Sequence, residues 1–205
     1  VKEATEQFNA NRDKFINEVN LNIQNGLDLI DKVRNLSLAE TREIVPEPVN
    51  LLESVNLAEM IIKDMLMLKD IKLVREIDPE ISVLAEPAPF INSILLNLLI
   101  NAVKFSDNSS EVFISGHEDH DRISIEIKDR GIGIPVSILN ELFSNPAVCC
   151  RIGTSGEKGS GFGLMLARKF IMYYKGDINI TSWSIDDFPG SHGTVVVVTM
   201  KNGRQ

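Results

Sequence analysis

Three polar side chains interrupt an otherwise apolar segment, and they are the first residues in this sequence whose spacing suggests chemistry. Asn97, Asn101 and Lys104 are spaced at i, i+4 and i+7 within Leu95–Ser106, so they share one face of a predicted helix. A buried amide without a partner costs about 1 to 3 kcal/mol, so this face predicts a polar group opposite it. A ligand or ion is one candidate, and satisfaction of both asparagines by neighbouring backbone is the alternative.

A turn containing two glycines follows a predicted strand at Asp129–Pro135. Gly131 and Gly133 allow positive φ and close approach of a flat ring. The Asp129 carboxylate, at the end of the strand, can accept a hydrogen bond from an exocyclic amine. The combination indicates adenine recognition rather than phosphate binding, although a glycine turn after a strand is common when it occurs alone.

A second glycine-rich segment, Gly153–Leu164, runs directly into a predicted helix. Backbone amides at a helix N-terminus form an anion site, and Lys158 adds a positive charge, so the segment predicts phosphate binding. It is not a dinucleotide fingerprint, because no βαβ unit surrounds it, and it lacks the Gly-Lys-Ser/Thr of a P-loop.

The elements that must position these residues follow from hydrophobic periodicity and turn residues. They are arranged as helices and hairpin-linked strands in separate layers, which predicts an α+β two-layer sandwich over residues 46–205. The predicted helices cover residues 57–68, 90–105, 136–142 and 163–174, and the predicted strands cover residues 72–77, 81–85, 112–116, 122–128, 177–182 and 194–200, with a hairpin loop at 117–121.

A separate segment, residues 1–45, precedes this domain. Apolar residues recur mostly three or four positions apart from Phe8 to Leu36, which predicts one long helix with one apolar stripe. An arm of an intermolecular helical bundle is favoured over a packing helix of a single globule. Pro46 and Pro48 end the helical pattern and predict an extended connector.

Composition excludes several classes of function. With 21 basic and 29 acidic side chains the net charge is −8, so we expect no nucleic-acid binding and no membrane contact. No uninterrupted apolar run long enough to span a bilayer is expected, and the start at Val1 indicates a fragment. Cys149 and Cys150 are adjacent, which favours free thiols in the cytoplasm over a strained disulfide. For Cys149 and Cys150, a role as two apolar residues is favoured over a role as an oxidation sensor.

Taken together, these motifs resemble the catalytic ATP-binding domain of sensor histidine kinases of two-component systems, within the superfamily of gyrase, Hsp90 and MutL. The resemblance covers about residues 49–200 and implies the Bergerat ATP-binding fold, a two-layer α/β sandwich, preceded by a helix of a dimerisation domain. The matching segments, in order, are the N box at Asn97–Ser106, the G1 box at Asp129–Pro135, a short F box at Glu141–Phe143, the G2 box at Gly159–Leu164 and the last G box at Gly193–Thr194.

On the purine side, the resemblance implies that Asp129 binds the adenine amine and that Thr194 assists through water. Phe105 and Ile134 would line the pocket of the ring. Further contacts to ATP would come from the glycine boxes, at Gly131, Gly133, Lys158, Gly159, Ser160, Gly161, Phe162, Gly163 and Leu164.

On the phosphate side, the resemblance implies that Asn101 ligates Mg²⁺ and that Asn97 and Lys104 act at the phosphates as the catalytic residues. Residues 143–158 would form an ATP lid. Members of the superfamily that hydrolyse ATP carry a Glu four residues before the metal-binding Asn, and this sequence has Asn97 there. An amide is no general base, so a kinase is favoured over a hydrolase.

The implied acceptor is a histidine on a dimerisation-domain helix, which passes the phosphoryl group to the receiver domain of a response regulator. His117, His120 and His192 all fall in the predicted ATP-binding domain, so we expect the acceptor helix to be absent or incomplete in this chain. The full-length protein is expected to be a homodimer. An anti-sigma-factor-type serine kinase and a degenerate nucleotide-binding scaffold are the alternatives.

Overall fold

The computed structural model of the chain describes residues 45–143, 152–157, 161–188 and 190–204. Several predictions lie outside these residues: the long helix over residues 1–45, the roles of Lys158, Gly159 and Ser160, and the state of Cys149 and Cys150. Most of the predicted ATP lid also lies outside them.

The described residues form two sheets. A mixed sheet has the order β2-β4-β5-β7-β6, in which β2 is parallel to β4 and every other pair is antiparallel. A small antiparallel sheet pairs β1 with β3. The strands are β1 (Glu47–Asn50), β2 (Lys72–Ile77), β3 (Ser82–Ala85), β4 (Glu111–Asp119), β5 (Arg122–Asp129), β6 (Asp177–Trp183) and β7 (Gly193–Lys201).

Helices cover one face of the large sheet, as the two-layer prediction requires. The helices of the described residues are α1 (Leu51–Leu68), α2 (Pro87–Phe105), the short α3 (Val136–Leu139) and α4 (Gly163–Tyr173), of which α1, α2 and α4 contact the large sheet. Helix α2 contacts both α1 and α4. The core between helices and sheet contains Phe90, Leu95, Leu99, Ile125, Ile171 and Met200.

Helix α2 is built in three parts. A first turn at Pro87–Pro89 is followed by a π-helical stretch at Phe90–Leu95 and an α-helical part at Leu96–Phe105. By length and composition α2 could cross a membrane, with a mean hydropathy of 1.4, which the sequence analysis did not anticipate. Half of it is buried inside the protein, as is usual for a core helix.

Several element boundaries differ from the sequence predictions by two or more residues; the helix predicted over residues 136–142, for example, ends at Leu139. Helix α1 begins at Leu51 rather than 57, because the Asn50 side chain accepts the Glu53 N–H at 2.9 Å and caps the helix. The polar stretch predicted as a hairpin loop is mostly strand, and the chain reverses at His120 with φ +56°. Part of the predicted extended connector, Glu47–Asn50, is a paired strand.

Candidate functional site

A buried carboxylate, that of Asp129, ends strand β5. Asp129 Oδ1 accepts two backbone hydrogen bonds, from Gly131 N–H at 2.9 Å and from Thr194 N–H at 3.2 Å. The β5–β7 register places Thr194 directly opposite Asp129. Both bonds fall on Oδ1, so Oδ2 is the oxygen that neither amide contacts. The sequence prediction that brings Asp129, Gly131 and Thr194 together agrees with this geometry.

The protein environment makes Asp129 unusually easy to protonate. Burial raises the pKa of Asp129 to about 6, and the amides of Gly131 and Thr194 and the nearby His192 only partly oppose that rise. Desolvation disfavours the charged form of a buried carboxyl group. Perturbed acids of this kind are concentrated at functional sites.

The two glycines after Asp129 are required by close backbone packing. A β-carbon on Gly131 would collide with the carbonyl of Phe105, and one on Gly133 would collide with the carbonyl of Trp183. Gly133 also has φ +65°, a conformation that favours glycine. The loop is therefore wedged between the end of α2 and strand β6.

Ser182 on β6 organises the other side of this loop, and the sequence analysis missed it. Its hydroxyl oxygen accepts the Ile134 N–H at 2.8 Å and lies 2.9 Å from Thr194 Oγ1. Ser182 Oγ also donates to the Gly193 carbonyl at 2.9 Å. The β6–β7 register that places Ser182 opposite Thr194 carries no signal in the sequence.

His192 is half-buried and lies beside the glycine turn that follows Asp129. Its Nδ1 lies 2.7 Å from the carbonyl oxygen of Gly131. Because a carbonyl only accepts, this contact places the proton on Nδ1. The β5–β7 pairing brings residue 192 beside the glycine turn.

The polar face of α2 lies against the start of α4. Asn97 Nδ2 donates to the Ser93 carbonyl at 2.8 Å, which fixes the side-chain amide. Its Oδ1 would then lie only 2.5 Å from a β-carbon on Gly163. Asn101 is half-buried one turn further along the same face. The face of α2 that carries Asn97 thus lies directly against Gly163.

Lys104 follows on α2 and is more buried than a lysine usually is. Its side chain is only 6% exposed, and Nζ lies 4.9 Å from the ring centroid of Phe105. Phe105 and Ile134 are each half-buried and flank the glycine turn. Lys104 thus lies beside Gly153 of the second glycine-rich segment, and Phe105 lies beside Gly131 of the turn after Asp129.

Helix α4 begins directly after the second glycine-rich segment. Gly161 has φ +73°, Phe162 is the residue preceding the helix, and Gly163 and Leu164 open it. The Phe162 carbonyl accepts the Leu166 N–H at 2.9 Å, so helical hydrogen bonding starts at once. The first amides of this 11-residue helix carry the positive end of its dipole.

The family comparison decides what kind of site this is. Residues 87–204, more than half of the chain, match the model of the "Histidine kinase-, DNA gyrase B-, and HSP90-like ATPase" family. The chain belongs to this ATPase family. The matched range includes every element that carries the site, from the start of α2 to the end of β7.

The relatives of this ATPase domain are sensor histidine kinases. The chain is 33% identical over 110 residues to sensor histidine kinase RcsC of Escherichia coli, covering 52% of this chain and 11% of RcsC. It is 35% identical over 124 residues to histidine protein kinase SaeS of Staphylococcus epidermidis, covering 60% of this chain and 34% of SaeS. The chain thus spans between about a tenth and a third of these relatives.

Solved structures show the same fold. The mycobacterial sensor histidine kinase MprB aligns over 77% of this chain and 98% of its own, with a TM-score of 0.62 and 23% identity. Full-length ShkA in complex with AMPPNP aligns over 86% of this chain and 35% of its own, with a TM-score of 0.68 and 18% identity. The predicted family and the predicted fold class are confirmed, whereas the residue roles stay predictions.

The side chains of the site fit a magnesium ion that takes one oxygen from the protein and its other oxygens from phosphates and water. Within the described ranges, no three His, Cys, Asp or Glu side chains are grouped to hold a metal. Asn101 offers a neutral amide oxygen beside Asn97. Mg²⁺ commonly takes one or two protein oxygens and completes its octahedron with phosphates and water.

Proposed function

We propose that this ATPase domain is the catalytic part of a histidine kinase: it binds ATP and transfers the γ-phosphoryl group to a histidine. The observation that carries the proposal is the buried Asp129 carboxylate, which accepts hydrogen bonds from two backbone amides. The glycine turn after it packs so closely against neighbouring backbone that it has no room for β-carbons at Gly131 and Gly133. Such a fixed acceptor next to bare backbone suits an exocyclic amine on a flat ring.

On the purine side, Asp129 Oδ2 accepts from the adenine amine, and the Thr194 hydroxyl assists through water. Ile134 is held for this role because its backbone N–H donates to Ser182 Oγ at 2.8 Å. Gly131 and Gly133 let the ring approach the main chain, and Phe105 closes one edge of the pocket. Ser182 keeps Thr194 in place through their 2.9 Å contact.

On the phosphate side, the amides of Gly161, Phe162, Gly163 and Leu164 at the start of α4 face the polyphosphate. Backbone N–H groups and a helix dipole favour anions there. Lys104 supplies a positive charge from α2. Lys158, Gly159 and Ser160, outside the described residues, are assigned to the same loop from the resemblance of the sequence to the G2 box.

Asn101 is the residue that we assign to Mg²⁺. When bound, the ion neutralises charge on the phosphate oxygens during transfer. Asn101 contributes one amide oxygen from α2. One helical turn before it, the side-chain amide of Asn97 is fixed by its hydrogen bond to the Ser93 carbonyl. Catalysis then rests on positioning and electrostatic stabilisation by these side chains.

Transfer to a protein acceptor is favoured over hydrolysis because Asn97 is an amide. Its Nδ2 donates to the Ser93 carbonyl, and an amide oxygen cannot take a proton from water. We therefore assign Asn97 to orientation of the phosphates. The acceptor that we propose is the histidine of a dimerisation domain, in a cytoplasmic homodimer that passes the phosphoryl group to a response regulator.

The deciding experiment incubates the chain with ATP labelled on the γ-phosphate and a separately produced acceptor-helix domain of a sensor histidine kinase. We expect label on the added domain that is lost in acid and retained in base, as phosphohistidine is. Acid-stable label on serine would favour the anti-sigma-factor type of kinase. Saturable ATP binding without any transfer, or no binding at all, would favour a scaffold and overturn the proposal.

A further inference from the structure

A lysine outside all of the nucleotide motifs is buried near the end of α2. Lys69 caps the C-terminus of α1, and its side chain is only 2% exposed. Lysine is rarely this buried, because taking an ammonium group out of water is costly unless it is paired and hydrogen-bonded. The Lys69 ammonium must therefore have hydrogen-bond acceptors and an opposite charge beside it.

The partners of Lys69 come from two distant parts of the chain. Nζ donates to the carbonyl oxygens of Val103 at 2.9 Å and Lys104 at 3.0 Å, near the C-terminal end of α2. It also donates to Thr154 Oγ1 at 2.6 Å and lies 3.3 Å from Glu157 Oε1. The ammonium thus joins the end of α2 to the segment Gly153–Glu157.

Gly153–Glu157 forms a compact turn of its own, which we call the anchor turn. The Gly153 N–H donates to the Glu157 carbonyl at 2.8 Å, and the Ser155 N–H donates to Glu157 Oε2 at 2.9 Å. Partial burial works against ionisation of Glu157. The amides of Glu157 and Ser155 together with the Lys69 ammonium outweigh it and hold the pKa of Glu157 below its usual value. The turn therefore presents a carboxylate to Lys69.

The anchor turn packs onto Lys104 itself. The Thr154 N–H donates to the Lys104 carbonyl at 3.1 Å, and Thr154 Oγ1 donates to the Ser106 carbonyl at 2.6 Å. A β-carbon on Gly153 would lie 2.6 Å from Lys104 Cγ. The stem of the Lys104 side chain is therefore confined by a turn that Lys69 holds.

We propose that Lys69 is a positioning residue for the polyphosphate: it clamps the anchor turn onto the end of α2 and so fixes the side chain of Lys104. The inference rests on the proposed function, in which Lys104 acts at the phosphates. Among the described residues, the Lys69 ammonium contacts the end of α2 and the anchor turn, and it contacts neither Asp129 nor the glycine turn that follows Asp129. Loss of the Lys69 ammonium should therefore weaken binding of the phosphates and leave binding of the purine nearly unchanged.

The test compares two ligands in two lysine variants of the whole chain. In Lys69→Met, we expect affinity for ATP with Mg²⁺ to fall about tenfold while affinity for adenosine stays within about twofold, since charged hydrogen bonds are lost only at the phosphate side. The matched control is Lys72→Met, whose side chain is 76% exposed and pairs only loosely with Glu111 at 3.9 Å. The control should bind both ligands as the unchanged chain does. Calorimetry for ATP and a chemical-shift titration for adenosine give the two affinities.

The ratio of the two affinities separates positioning from a merely structural role. Equal losses for ATP and adenosine in Lys69→Met, or no loss for either, would overturn the inference. If the unchanged chain binds no ATP, the proposed function fails instead. Should Lys69→Met not fold, Glu157→Gln carries the same test, because it removes the ion pair from the partly exposed side of the cluster. A selective loss for ATP supports the clamp, and unchanged ATP affinity contradicts it.

Discussion

Asn97 on α2 and Gly163 at the start of α4 lie so close that no side chain fits between them. A β-carbon on Gly163 would be 2.5 Å from Asn97 Oδ1 and 3.2 Å from Asn97 Cγ. Asn97 cannot easily give way, because its Nδ2 is held by the Ser93 carbonyl at 2.8 Å. The two elements proposed to face the phosphates are thus kept at a distance that only glycine allows.

Gly163→Ala should therefore destabilise the domain by about 1 to 3 kcal/mol, as overpacking does, and should weaken ATP binding. The sign of the change in the free energy of unfolding is informative, because helix propensity alone would make alanine more stable than glycine inside a helix by about 1 kcal/mol. Denaturant unfolding and ATP calorimetry give the two results. Gly190→Ala is the matched control, since a β-carbon there would meet nothing within 4 Å. A more stable Gly163→Ala would show that the contact with Asn97 is not tight.

The sequence predicted the parts of the fold in which local pattern and tertiary structure agree. Strand β2 has the predicted bounds, and α4 ends one residue earlier than predicted. The early start of α1 was missed although Asn50 and Glu53 have capping-box spacing and the buried Leu51, Val55 and Ala58 already follow helical spacing.

The candidate site was predictable where its residues belong to the motifs that carry the resemblance. Asp129 and Gly131 lie in one motif, and Thr194, which is 65 residues away from Asp129, lies in another. The contact between Ser182 and Thr194, and the burial of Lys69 against Thr154, depend on strand register and on packing between distant segments. No spacing in a single sequence carries that information.

Asp129→Asn should stabilise the domain at neutral pH while weakening ATP binding. A folded-state pKa raised from 3.8 to about 6 means that the folded protein holds this proton more tightly than the unfolded chain. The resulting stability is fully present below about pH 4 and is lost as pH rises through about 6, an amount of about 3 kcal/mol. Asparagine keeps an oxygen for both amides and carries no charge.

The measurement is the free energy of unfolding of both proteins at several values between pH 4 and pH 7. We expect the variant to be more stable at pH 7 by about 1 to 3 kcal/mol and to lose the part of the pH dependence that Asp129 causes. Asp177→Asn, at an exposed carboxylate that starts β6, is the control and should change little. A variant that is less stable at pH 7 would contradict burial as the cause of the raised pKa.

Adenosine binding should weaken as the pH falls below about 6, because a protonated Asp129 is a poorer acceptor for the adenine amine. Adenosine is the suitable ligand because it has no phosphates that titrate in this range. The decrease should approach about tenfold per pH unit well below the pKa. Titrations between pH 5 and pH 7 measure it.

His192 also lies at this end of the site, through its contact with the Gly131 carbonyl. His192→Gln should keep the pH dependence of adenosine binding, since the proton responsible is on Asp129. If the dependence disappears in this variant, the histidine rather than the carboxylate controls purine binding.

Asn101→Ala should remove the difference between ATP binding with Mg²⁺ and ATP binding in the presence of a chelator. The variant loses the one amide oxygen that we assign to the ion, and an affinity loss of about ten- to hundredfold is expected with Mg²⁺. Adenosine affinity should not change, because Asn101 lies on the α2 face near Asn97 rather than beside Asp129. The control is Asn92→Ala, at an exposed asparagine on the same helix, which should respond to Mg²⁺ as the unchanged chain does. A variant at residue 101 that still gains affinity on adding Mg²⁺ would move the metal contact to another residue.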